Sequence, residues 1–507
     1  MISSSSENQR EKFLAGNSGP APINGIRGQG NRRVALARAF RTSSSDDLRR
    51  RKKLGDTFAR ILGRENVLWH PAEVVVYDCD GFTIEKHPPE VVVFPRSTDE
   101  VVAVVRTAGQ LGLRILARGA GTGLAGGATP RGGEVLVVLT RMNRILAIDL
   151  ENRLAVVEPG VLNTQLARAL EGTGFHFAPD PSSQTASTLG GNAATNAGGP
   201  HTLKYGVTVN HVLGVEAVLG DGTVFCQGPV PHPGELDLVG VLVGSEGTLG
   251  IITKLWLRLT PTPQSYRTFR VVFRDPQSAS EAISEIIAAG IIPAAMEVMD
   301  RGILIAVEEA FRLGLPSDAG AVVVIELDGF EGALAKEARK VLSICSKWGA
   351  TEILEAKDDQ ERQKLWKCRK MAVAAVGRLS PSYCIQDGVV PRTRLPEIIR
   401  RIEEVSSKYQ VPIVNVAHAG DGNIHPIFLF DERQPQQVER VLAAGREILE
   451  HCLSLGGSIT AEHGVGIEKL PMMPRQFAPT DLEAMRRVRR AWDPGGHLAP
   501  AKVLPNQ

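Results

Sequence analysis

The sequence predicts an α+β protein of more than one domain, and three observations carry that expectation. Its 507 residues exceed what a single hydrophobic core usually holds. The first half alternates strand-length apolar runs with amphipathic helices and glycine-rich stretches. The second half, after Pro261 and Pro263, alternates long helices with strands in helix-strand-strand-helix order, a pattern that builds an antiparallel sheet carrying helices.

Composition narrows the function classes. A hydrophobic fraction of 43% and a charged fraction of 22% are ordinary for a soluble globular protein. With 58 basic against 56 acidic residues, no field argues for nucleic acid. Cys79, Cys226, Cys345, Cys368, Cys384 and Cys452 form no Cys-x-x-Cys pair, which disfavours an iron–sulfur or zinc-thiolate site and fits a reducing compartment. The apolar runs are too short and interrupted to cross a membrane, so a cytoplasmic protein is expected. Residues 1–45 are rich in serine, arginine, glycine and proline and lack the apolar core of a secretory signal. They read as a flexible, solvated tail.

From residue 46 the elements follow in order. A helix over 46–62 places Leu48, Leu54, Phe58 and Leu62 on one face, with Arg49–Lys53 solvated. Ser97 and Glu100 have capping-box spacing ahead of a stripe of Val101, Val104, Val105, Ala108 and Leu111. A strand at 113–117 then runs into Ala117–Gly127, eleven residues of which five are glycine. Glycine of this density lets backbone amides turn toward an anion such as a pyrophosphate. Gly121–Gly126 has Rossmann glycine spacing, but Gly126, Gly127, Pro130, Gly132 and Gly133 follow where a helix should open, and no acidic residue ends the next strand. The loop is therefore a phosphate cradle of another kind, or else a plain surface turn. A helix near Asn163 stops at Gly172. Pro179–Gly199 is composed almost wholly of small and hydroxylated residues, as expected of a segment wrapping a ligand. Val243–Thr253 is a tight turn into a β-branched strand.

In the second half, helices are expected at 279–289, 331–348, 360–377, 395–408 and 435–455, with strands at 322–327, 411–416 and 424–430. The turn Gly420-Asp421-Gly422-Asn423 joins two apolar strands and brings His418 and His425 toward a common point. Converging imidazoles suit a divalent metal. Alone, the pair reads equally well as one packed and one surface histidine. Glu462-His463 lies between an expected strand and a glycine turn, a placement that presents side chains to a cleft. Trp366 and Arg369 share a helical face, with Lys370 beside them; without other information they would be a solvated surface.

Together these segments resemble the FAD-linked 2-hydroxy-acid dehydrogenase and oxidase family of the vanillyl-alcohol oxidase (PCMH-type) flavoproteins, which includes the glycolate oxidase FAD-linked subunit and D-lactate and D-2-hydroxyglutarate dehydrogenases. The resemblance runs from about Gly55 to Pro505. It rests on Tyr77-Asp78-Cys79-Asp80-Gly81, Ala117–Gly127, Leu189–Gly199 with Leu203-Lys204-Tyr205-Gly206, and Ser245–Gly250, in that order and spacing. It implies a two-subdomain FAD-binding domain over 46–262, an α+β substrate or cap domain with an antiparallel sheet over 263–460, and a C-terminal segment, 461–507, that packs back on the FAD domain. FAD would be held non-covalently, since the first glycine loop has neither histidine nor cysteine. Its cradle would comprise Arg118, Gly119, Ala120, Gly121, Thr122, Gly123, Asp180, Thr185, Gly190, Gly191, Ala194, Asn196, Gly198, Glu246, Gly250 and Ile251, the last near the isoalloxazine ring.

By the same resemblance His418, His425 and Glu462 would bind a divalent metal, zinc or manganese. His463 would be the general base, and Arg369, with Lys370 second, would hold a substrate carboxylate. The implied reaction is oxidation of a 2-hydroxy acid by hydride transfer to the flavin. Electrons would pass to a partner protein or quinone-linked chain, other glycolate oxidase subunits among them, at the inner face of a membrane. Met371 replaces a common asparagine, and Ala499-Pro500-Ala501-Lys502 a usual Asn-Pro-Gly-Lys, so substrate choice stays open. Two other readings remain: a non-redox transferase of the alkyl-glycerone-phosphate synthase type, and a flavin-binding subunit without substrate chemistry.

Overall fold

The computed structural model describes residues 44–229, 236–316 and 318–505. All but the last two residues of the expected N-terminal tail lie outside them. The chain divides into two units, Met1–Arg49 and Arg50–Gln507. Of the first, the described part is the start of a helix, Ser45–Leu62.

Three sheets and one short ribbon organise the rest. The first sheet has β1 (Val67–Leu68), β2 (Val91–Val93), β3 (Arg114–Arg118) and β4 (Glu134–Val138) in the order β1-β2-β4-β3. β2 and β3 run parallel to β4. Helix Thr98–Gln110 covers it, with Val101, Val104, Val105 and Ala108 in one core with Ile115, Val135 and Val137. Ser97 Oγ accepts the Glu100 N–H at 3.2 Å, but the Glu100 carboxylate returns to the Arg96 amide, so only half of the expected capping box forms. Leu111, expected in the stripe, is the exposed C-cap. The second sheet is antiparallel: β5 (Ile145–Asp149), β6 (Leu154–Val157), β8 (Val212–Val218), β9 (Val224–Gln227) and β10 (Ile251–Arg258), in the order β5-β6-β10-β8-β9. β7 (Phe175–His176) and β11 (Thr260–Pro261) make the ribbon.

From residue 265 one large sheet takes over, with β12 (Ser265–Phe273), β13 (Ala295–Asp300), β14 (Ala321–Gly329), β15 (Glu352–Glu355), β16 (Ser382–Ile385), β17 (Gly388–Val389), β18 (Ile413–His418) and β19 (Asn423–Phe430). Its order is β15-β12-β14-β13-β18-β19-β16, with β17 also on β19. Alternate residues feed separate cores. Phe269, Val271, Val323 and Ile325 pack under helices Pro276–Ala288, Glu331–Lys347, Leu395–Tyr409 and Pro435–Ser454. Val272, Val322, Val324 and Val416 pack on the other face, against Arg301–Phe311 and Asp359–Lys370. The sheet is thus apolar on both sides. β12 and β13 were not expected from the sequence, whereas β14 and β19, buried along nearly their whole lengths, were.

Two other expectations change. The helix expected over 360–377 breaks at Met371 into Asp359–Lys370 and Ala372–Val376. The small-residue segment 189–199 begins as a helix, Leu189–Thr195, capped by Thr188 Oγ1 accepting the Gly191 N–H and ended by Asn196 in the left-handed region.

Candidate functional site

The first half of the site is made of main chain. β3 ends at Arg118, and no helix follows it. Among the described residues, the amides of 119–127 donate to no acceptor in the protein, although Ala125 and Gly126 are buried. Free amides along a half-buried turn suit an anion lying along the loop. Side chains are excluded by contact: a Cβ on Gly119 would lie 2.4 Å from Thr188 Oγ1, and one on Gly190 2.4 Å from Pro159 Cβ. The residues present therefore fit an extended, phosphate-bearing cofactor held by backbone.

Not every expected cradle residue offers its side chain. The Arg118 guanidinium donates to the Cys79 carbonyl at 2.7 Å and stacks over Tyr77. Ile251 is buried in the core of the first sheet, leaving only its main chain for a ligand. Asp180 holds His201 at 2.8 Å, and Thr185 is exposed. The Glu246 carboxylate accepts the amides of Val465 (2.7 Å) and Gly466 (2.8 Å), so it ties the turn 245–250 to the C-terminal segment.

The second half is made of side chains. β13 and β18 pair so that Glu297 lies opposite His418, and β18 turns through Gly420–Gly422 into β19, which carries His425. His418 donates from Nδ1 to Glu297 at 2.7 Å, while its Nε2 lies 3.2 Å from Glu462 Oε1. His425 directs Nδ1 to the Gln386 carbonyl (3.3 Å) and Nε2 to the same Glu462 oxygen (3.3 Å). Each Nδ1 is thus committed to an outer acceptor, and both Nε2 atoms face one carboxylate. Outer partners of this type fix the tautomer of metal-ligating histidines. His418, His425 and Glu462 bring one ligand atom each to within 4.8 Å of one another. Two imidazole nitrogens and a carboxylate oxygen are a donor set that fits a divalent ion. Burial works against the His418 imidazolium, yet Glu297 and Glu462 push it well above the usual range, so the two carboxylates favour positive charge between them.

His463 stacks on His425 with ring centroids 4.9 Å apart. Its buried Nδ1 has no partner, and burial pushes the ring down to about 4, leaving it neutral near pH 7. The strand expected before Glu462 is absent; only Ser458 bridges Val389. Arg369 is buried, with Nε 2.7 Å from Glu297 Oε2, and its two terminal nitrogens donate to no acceptor among the described residues. Lys370 is exposed, its ammonium 5.9 Å from the Trp366 ring centroid. Glu297 and Asp387 are the residues that sequence reasoning missed. Each is a lone acid among apolar residues, and only strand pairing reveals what it faces.

The two halves touch. A Cβ on Gly198 would lie 2.9 Å from Glu462 Oε2, so the small-residue segment abuts the Glu462 carboxylate. Lys502, buried, donates to the carbonyls of Gly126 and Thr129 and clamps the first glycine loop from behind.

Comparison with known proteins settles the family. A profile described as "FAD binding domain" matches residues 89–226, and one described as "FAD linked oxidases, C-terminal domain" matches 262–503. The glycolate oxidase subunit GlcD of Escherichia coli (strain K12) is 41% identical over 441 residues, covering 87% of this chain and 88% of the relative. This chain belongs to the FAD-linked oxidase family. Another member, the D-lactate dehydrogenase of Archaeoglobus fulgidus, is 32% identical to this FAD-linked oxidase, covering 84% of the chain and 96% of the relative. In fold it is similar to p-cresol methylhydroxylase with substrate bound (TM-score 0.76, 18% identity, 92% of this chain and 98% of that one). It is also similar to an alkyldihydroxyacetonephosphate synthase (TM-score 0.69, 18% identity, 88% and 84%). At those identities the likeness speaks for the fold alone. The expected PCMH-type α+β flavoprotein architecture stands, and so does the flavin-linked oxidoreductase class. No helix among the described residues is long and apolar enough to cross a membrane.

Proposed function

We propose that this FAD-linked oxidase converts a small 2-hydroxy acid, of the size of glycolate, D-lactate or D-2-hydroxyglutarate, to the 2-oxo acid. The observation that carries the reading is Glu297. One buried carboxylate pairs with both His418 and Arg369, which holds a cationic fork beside a metal-binding histidine. A 2-hydroxy acid has a carboxylate and a hydroxyl on adjacent carbons, one group for the cationic fork and one for the metal beside it. The free terminal nitrogens of Arg369 receive the carboxylate in a bidentate pair. Neutral His463 takes the hydroxyl proton as the C–H bond breaks.

His418, His425 and Glu462 would hold the divalent ion, zinc or manganese, whose chemistry is to acidify a bound hydroxyl. Residues 119–123, 190–198 and 250–251 would hold the FAD, whose chemistry is to accept the hydride. Electrons then leave to a partner protein or quinone-linked chain, in line with relatives named as subunits of glycolate oxidase, and the protein works in the cytoplasm. The test is anaerobic addition of a panel of 2-hydroxy acids to the purified yellow protein. Bleaching at the flavin band by at least one acid is the expected result; bleaching by none would remove the oxidase reading.

A further inference from the structure

Beyond the ligands and the base stands a buried acid that touches neither cofactor nor substrate in the scheme above. We propose that Asp387 is a positioning residue whose carboxylate sets the direction of Glu462 and His463. The inference rests on the roles proposed for those two residues.

Asp387 lies between β16 and β17 and is wholly buried. Its Oδ2 accepts the N–H groups of Ala461 (2.9 Å), Glu462 (3.1 Å) and His463 (2.9 Å), and the Thr460 hydroxyl as well. Three consecutive amides aimed at one oxygen form a nest. A segment bound in that way cannot rotate about its main chain without losing charge-assisted hydrogen bonds, which are about twice as strong as neutral ones. The segment is otherwise irregular, with no strand or helix to hold it. The directions in which Glu462 and His463 leave the backbone are therefore set by Asp387.

Two further contacts make the arrangement specific to the site. The residue before Asp387 does the same work for the other ligand-bearing element: Gln386 donates its N–H to the Pro426 carbonyl at 3.0 Å and takes His425 Nδ1 on its own carbonyl. One dipeptide thus registers the β19 histidine against the Glu462–His463 loop. Lys469, fully buried, stands 3.6 Å from Asp387 Oδ2 and donates to the Gly464 carbonyl at 3.0 Å, closing the loop on its far side. Asp387 Oδ1 is left buried without a partner, as is His463 Nδ1, and Asp387, His425 and His463 bring their nearest polar atoms within 4.8 Å of one another. A general structural acid would spend both oxygens on the fold; this one leaves the second without a partner.

The experiment compares wild type with Asp387→Asn and Thr460→Val as FAD-loaded proteins, mixed anaerobically with the best acid of the panel in a stopped-flow instrument. A positioning role lowers the rate constant of flavin reduction, by about 10- to 100-fold in Asp387→Asn and less in Thr460→Val, while the amplitude per bound flavin is unchanged. A merely structural role lowers flavin content and amplitude but leaves the rate constant of the loaded fraction alone, and that result overturns the proposal. Zinc affinity, measured by chelator competition with Zn²⁺ alone, is the readout independent of turnover. It should fall about tenfold in Asp387→Asn, because Glu462 loses its aim; unchanged affinity also overturns the proposal. If Asp387→Asn does not fold, Thr460→Val decides by the same two measurements. A wild type that no acid bleaches would instead sink the oxidase reading, and the zinc measurement would still judge Asp387.

Discussion

Residues 119–127 and the group His418, His425, Glu462 and His463 are built from opposite materials. The glycine loop offers main-chain amides, and side chains are in the way there and in the second small-residue segment: Gly119 and Gly190 have no room for a Cβ. The histidine cluster works through side chains that arrive from β18, β19 and an irregular C-terminal loop, each aimed by a second residue. A backbone site depends on space and local conformation, so one added methyl harms it. A side-chain site depends on its outer acceptors, so a single atom exchanged at constant shape harms it. The two should therefore fail separately.

The largest separation is expected from His463→Asn. Flavin stays bound, and its reduction by a 2-hydroxy acid slows by about a thousandfold, within the usual range for losing a general base. Stopped-flow absorbance checks this, and unchanged reduction would take His463 out of its role. Glu297→Gln keeps the shape and removes the charge shared by His418 and Arg369. Metal affinity should fall about 10- to 100-fold, read as metal content after dialysis, with flavin content unaltered. Coupled loss of flavin and metal would mean that the two halves are one unit after all.

Gly119→Ala probes the other side. The added methyl displaces Thr188 Oγ1, the cap of helix Leu189–Thr195. Overpacking of this kind costs about 1–3 kcal/mol, so FAD should bind roughly tenfold or more weakly while zinc binding is unchanged. Equilibrium dialysis of both ligands measures the contrast. The smallest effect is electrostatic. Burial pushes the Lys502 ammonium down to about 8 from an ordinary value of 10.5. Between those values the unfolded chain binds more protons than the folded one, so this group's contribution to stability rises with pH through that window. Melting temperatures at pH 7.5 and 9.5 should show wild type gaining relative to Lys502→Met. An equal shift in both proteins would place the amine in a wetter setting.

The same contrast explains what could be read from the sequence. A backbone site writes itself into composition, because glycine and small residues must stand in consecutive positions. Ala117–Gly127 and Leu189–Gly199 were visible for that reason, and the rejection of a Rossmann unit followed from the residues after Gly126. His418 and His425 were visible because one turn brings them together. Glu297 and Asp387 were not, since their partners lie 121 and 76 residues away and nothing local marks them. Side-chain direction was hidden as well: Arg118, Glu246 and Ile251 sit in the segments expected to form the cradle, yet their side chains serve the fold. Among strands, β3, β10, β14 and the β18–β19 hairpin were legible as apolar or β-branched runs bounded by turn residues. β5, β8 and β9 of the first half, and β12 and β13 of the second, were not expected.

Lys502 clamps a loop translated long before it. The gap between Lys502 and Gly126 is 376 residues, which at ordinary rates of synthesis means roughly 20–75 s on the ribosome. During that time the glycine loop is made but has no clamp behind it. Leu498, which extends the first sheet beside Ile115, is equally late. The clamp behind the glycine loop therefore forms only after every strand of the large sheet, β12 to β19, has been made.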